Sequence, residues 1–66
     1  MLSPLSPRAR QALIDAMAAD LVALRREHGA ANRADLVALG WLSRECDRLA
    51  DAAGRRADAL AQEPRR

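Results

Sequence analysis

The sequence predicts an all-α fold, a small three-helix domain with two long helices and a short crossing middle helix. Apolar residues recur at three- and four-residue spacing over residues 13–24 and again over 42–60, the period of one helix face. Gly29 and Gly40 interrupt that pattern where helices stop, and Ser6, Asn32 and Ser43 stand where helix starts need a cap. No alternation of period two is long enough for a strand, and the chain holds no internal repeat or low-complexity tract.

At 66 residues the chain makes one domain at most, of a size at which burial is marginal. Half of the residues are apolar, but alanine supplies about half of that set, so the core is thin. Each alanine contact removes little area from water, at about 25 cal/mol per Å². A dimer with a second helical seam would relieve the shortage.

The first helix is expected over 7–28, with a flexible arm over 1–6. Ser6 before Pro7 reads as an N-cap followed by proline at the first helical position, where a missing N–H is no loss. Leu13, Ile14, Met17, Leu21 and Leu24 form its apolar face, and Gly29 ends it.

The middle helix starts at Asn32, with Asp35 three places on to complement the N-terminus, and closes at Gly40. Leu36, Val37 and Leu39 give it a short apolar face. Barely two turns long, it must be held by packing. The third helix begins at Ser43, whose capping box is imperfect because position 46 is Cys46 rather than a glutamate. Leu42, Cys46, Leu49, Ala53, Ala57 and Leu60 run along it as a narrow seam. Gly54 inside it costs about 1 kcal/mol relative to alanine, which points to a bend or a close helix contact. Pro64 closes the helical region, and 63–66 form a flexible tail.

The inventory excludes most chemistry. Cys46 is the lone cysteine and His28 the lone histidine, on different helices, so neither an intrachain disulfide nor a Cys/His metal site can form. His28 complements the end of the first helix, and Cys46 reads as a small buried hydrophobe. With no Gly-rich phosphate loop and no paired-carboxylate constellation, no catalytic residue is assigned, no metal and no cofactor is expected, and the protein reads as a non-enzyme without a small-molecule substrate. No apolar run approaches a membrane span, and no charged region followed by an apolar signal core opens the chain. The expected location is the cytoplasm, without membrane association.

All eleven basic residues are arginine, and the net charge is +2. Arginine forks suit phosphate, although a GC-rich genome gives the same Ala/Arg bias. Arg8 and Arg10 oppose the dipole at the start of the first helix. If the third helix returns antiparallel, they meet Arg55, Arg56, Arg65 and Arg66 in a basic pole.

Residues 32–51 carry a resemblance. Gly40 is flanked by Leu39 and Trp41, and apolar Cys46 and Leu49 follow six and nine places after it. This spacing resembles the turn of prokaryotic helix-turn-helix DNA-binding domains. Leu36 stands where those domains usually carry a small residue. The resemblance implies that the third helix is a recognition helix presenting Ser43, Arg44, Asp47, Arg48 and Asp51 to the major groove, with Arg55 beyond them. Arg44 and Arg48 would then reach guanine edges or phosphates. Four arginines and four acids between Arg44 and Asp58 cancel, however, and Arg44 with Asp47, Arg48 with Asp51 and Asp51 with Arg55 are spaced for ordinary surface pairs.

Two functions follow. One is a small DNA-binding protein, a dimeric transcriptional regulator acting on double-stranded DNA. The other is a helical protein–protein interaction module, a homodimeric adaptor or small inhibitor of a larger partner carried by a mobile element, using Trp41, Leu42 and Leu49 as its interaction and core residues.

Overall fold

A computed structural model of the protein describes residues 6–62. The terminal segments 1–5 and 63–66, with Pro64, Arg65 and Arg66, lie outside the described residues. Three helices fill the rest: α1, Pro7–His28; α2, Arg33–Ala38; and α3, Ser43–Gln62.

Local chemistry accounts for nearly every boundary. The Ser6 side chain accepts the Ala9 N–H, with proline in the first turn behind it, the cap that the sequence predicts. Gly29 ends α1 with φ of +81°, and its N–H returns to the Arg25 carbonyl at 2.8 Å. The Asn32 side chain accepts the Asp35 N–H, while the Asp35 carboxylate accepts the Asn32 N–H, a complete reciprocal box.

At the end of α2 the chain turns through a Schellman motif. Gly40, at φ +111°, donates to the Val37 carbonyl, and Trp41 donates to the Leu36 carbonyl at 3.1 Å. The α3 box is shifted by one residue from the sequence expectation. Leu42 is the cap, its N–H donating to Glu45 Oε1 at 2.8 Å, and Ser43 is already the first helical residue. Glu45 is thus the third helical residue, and its carboxylate faces the positive end of the α3 dipole.

The core lies between α1 and α3. Ile14, Met17, Ala18, Leu21 and Leu24 meet Cys46, Leu49, Ala53 and Ala57, and Leu36 is the one residue that α2 buries there. The two long helices pack directly on one another, since Ala18, Ala53 and Ala57 are small enough for close approach and Met17 fills the space they leave.

The helices α1 and α3 run in the same direction. Leu13 near the start of α1 shares a hollow with Arg44, Glu45, Arg48 and Leu49 near the start of α3. Toward the other ends, Arg25 pairs with Asp58, and Val22 and Ala61 line one open hollow. The six-residue α2 rises about 9 Å, and the loops on either side, at up to about 3.3 Å per residue, carry the chain back along α1 to Asp20, where Trp41 bonds it. The short middle helix links the two long ones and packs against both.

Two other expectations fall to the packing. Val37, Leu39 and Leu42 do not join the apolar seam; all three are exposed, because they follow the turn away from α1. Gly54 marks neither a close contact nor a break in α3, since a Cβ built on it would meet nothing within 4 Å. It lines an open groove of about 400 Å³ between the three helices, beside Leu21 and Leu36.

Candidate nucleic-acid interface

The outward surface of α3 follows from its period. Arg44, Arg48, Asp51 and Arg55 fall at intervals of four, three and four residues, opposite the buried Cys46–Leu49–Ala53–Ala57 face, and all four are exposed. Ser43 and Asp47 lie on the flank toward α2, also exposed. From Arg44 to Arg55 the ridge extends about 16 Å at 1.5 Å per residue.

Tertiary contacts redistribute the acids of this helix. Asp47 receives a two-pronged contact from Arg33 of α2, Nη1 to Oδ1 at 2.7 Å and Nη2 to Oδ2 at 3.2 Å. Asp58 binds Arg25 of α1 at 2.8 Å, and Glu45 is turned to the Leu42 backbone. None of the three surface pairs expected along α3 forms among the described residues. Arg44, Arg48 and Arg55 consequently have no ion-pair partner among the described residues, and Asp51 is the one acid left on their ridge.

The remaining sequence-predicted residues are scattered. Asp47 is exposed and paired with Arg33. Arg56 reaches Asp15 at 3.5 Å, and Asp15 also accepts from Gln11. Leu13 shares a hollow with the first turns of α3, and Arg56 reaches Asp15, about two turns of α1 beyond Arg8. Leu49 is core, and Leu42 is 52% exposed.

Trp41 is half-buried against the core, and its indole Nε1–H donates to Asp20 Oδ2 at 2.7 Å. This bond ties the turn to the middle of α1, since a partly buried indole N–H needs an acceptor. Asp20 and Arg33 are the two residues that sequence reasoning missed. A signal existed for Arg33, because a positive charge on the first residue of α2 opposes its helix dipole and so points to a partner elsewhere. For Asp20 there was none, because every acid on α1 was an equal candidate until the register was known.

No other chemistry gathers on the surface. His28 lies 3.7 Å from Glu27 with both side chains largely exposed, and Cys46 is a buried free thiol. No group of three His, Cys, Asp or Glu side chains among the described residues is placed to hold a metal. No helix among them is long and apolar enough to cross a membrane. The fold and surface together define a small all-α three-helix domain with an arginine ridge along its third helix. Comparison with known proteins finds no matching family model, no similar curated protein and no similar solved structure.

Proposed function

We propose that this is a small DNA-binding protein of the cytoplasm, a dimeric transcriptional regulator that lays α3 in the major groove of double-stranded DNA. One observation carries the reading: Arg44, Arg48 and Arg55 are exposed and free of ion pairs among the described residues on a helix anchored from behind by its buried face. A major groove about 12 Å wide accepts a helix. Arg44 and Arg48, near the start of α3, meet base edges there, while Arg55 lies far enough along to meet a phosphate. Arg33 serves as a positioning residue, joining α2 to the first turns of α3 through Asp47.

Titrating binding to random duplex against salt tests the reading. On random duplex, where no base is read and Arg44, Arg48 and Arg55 all rest on phosphates, the log–log slope is expected near −2.7 per protomer, about a 40-fold loss between 50 and 200 mM salt. Arg44→Ala and Arg48→Ala should flatten that slope and weaken binding while changing stability by no more than about 0.5 kcal/mol, because both side chains are exposed. Absence of binding at low salt rejects the reading.

A second reading is favoured by one observation of its own. Val37, Leu39 and Leu42, at 43%, 56% and 52% exposure, put large apolar side chains in solvent at the α2–α3 corner. A helical protein–protein interaction module, a homodimeric adaptor or small inhibitor carried by a mobile element, would cover such a corner. Neither reading requires catalysis or a cofactor.

A further inference from the structure

We infer that the hollow between Leu13 of α1 and the first turns of α3 binds a small branched aliphatic carboxylate. The inference goes beyond the DNA-binding reading and does not depend on it. The hollow has a volume of about 90 Å³ and is lined by Leu13, Arg44, Glu45, Arg48 and Leu49. Its apolar wall is fixed, because Leu49 belongs to the buried core and the half-buried Leu13 packs against that core. Its cationic rim is uncommitted. Arg44 and Arg48 stand four residues apart on one face of α3, a spacing that brings Cβ atoms within about 5–6 Å, and neither has an ion-pair partner among the described residues. Two guanidinium forks so close can hold one carboxylate between them. Glu45 stays on the rim, since its Oε1 accepts the Leu42 N–H, and two arginines less one glutamate leave a local charge of +1. That balance suits a monoanion better than a doubly charged phosphate ester. Size sets the tail, because at about 30 Å³ per water-sized group the hollow takes about three methyl-sized groups, an isopropyl end rather than a ring system. The groove of about 400 Å³ beside Leu21 and Leu36 offers no such choice of ligand, because its arginines, Arg25 and Arg33, are already held by Asp58 and Asp47.

The experiment titrates the whole chain with isovalerate and follows backbone amide shifts by NMR, with acetate as the head without the tail and 3-methylbutanol as the tail without the charge. Isovalerate is expected to saturate, to move the amides of Leu13 and of residues 44–49 most, and to bind about 15-fold tighter than acetate, the value of two buried carbons. Arg48→Gln, at an exposed position, should weaken isovalerate by about fivefold, the upper end for an exposed ion pair, and leave 3-methylbutanol unchanged. If acetate binds as tightly as isovalerate, the leucines take no part and the assignment is wrong. If 3-methylbutanol binds as tightly, the arginines take no part and the assignment is equally wrong. Shifts that do not saturate, or that centre on Leu21 and Leu36, overturn it as well. No step uses DNA, so a failure of duplex binding leaves this site standing, and a failure here leaves the DNA-binding reading standing.

Discussion

The α1–α3 seam and the α2–α3 corner are stabilised in opposite ways. Along the seam, Met17, Ala18, Ala53 and Ala57 have no solvent exposure and no polar atom takes part. At the corner, Val37, Leu39 and Leu42 stand in water, while the backbone is held by the Gly40 and Trp41 turn bonds, the Glu45 cap and the Trp41–Asp20 bond. Small side chains stabilise the seam by letting two backbones approach until dispersion and burial suffice. Directional bonds fix the shape of the corner and leave its apolar side chains free to meet something else. A domain this short thus separates the part that keeps it folded from the part that it presents.

Substitutions should separate the two regions by size and by sign of effect. The largest loss is expected from Met17→Ala, which empties the centre of the seam and should cost about 2–5 kcal/mol in urea unfolding. A cost under about 1 kcal/mol would mean that the seam collapses freely and is not the stability centre. Next comes Trp41→Phe, which removes the N–H and leaves the Asp20 carboxylate without its donor, at about 1.5–3 kcal/mol, reduced where water reaches the site. Equal stability of this variant would show that the bond does not hold the corner.

The glycines give the sharpest contrast, because their signs differ. Gly40→Ala forces a side chain into φ of +111° and should destabilise by about 1–2 kcal/mol. Gly54→Ala places a methyl in open space within a regular helix and should stabilise by up to about 1 kcal/mol. For a domain of this size each kcal/mol moves the melting temperature by about 4–8 °C, so thermal denaturation resolves both. A loss on Gly54→Ala would mean that the groove it lines closes in solution.

The caps at Ser6, Asn32 and Gly29 were legible in the sequence because each is a bond between residues within four places of one another. The apolar faces of α1 and α3 were legible from their period. Leu42 was misread for a physical reason: continuing the helical spacing one residue before the helix begins extrapolates a face that does not yet exist there. The arginine ridge was placed correctly on the surface, but its acids were assigned to their own helix, whereas Arg33 and Arg25 hold Asp47 and Asp58 from outside it.

The sequence by itself determined three helices, their ends and the side of each long helix that turns inward, because propensity, capping and amphipathic period act over a few residues. Tertiary structure alone decided that α1 and α3 run in the same direction, that Arg56 reaches Asp15 of α1, and that Trp41 finds Asp20 across 21 positions. Those outcomes depend on how far a six-residue leg carries the chain back and on which alanines meet, and no local pattern encodes the stacking of one rod on another.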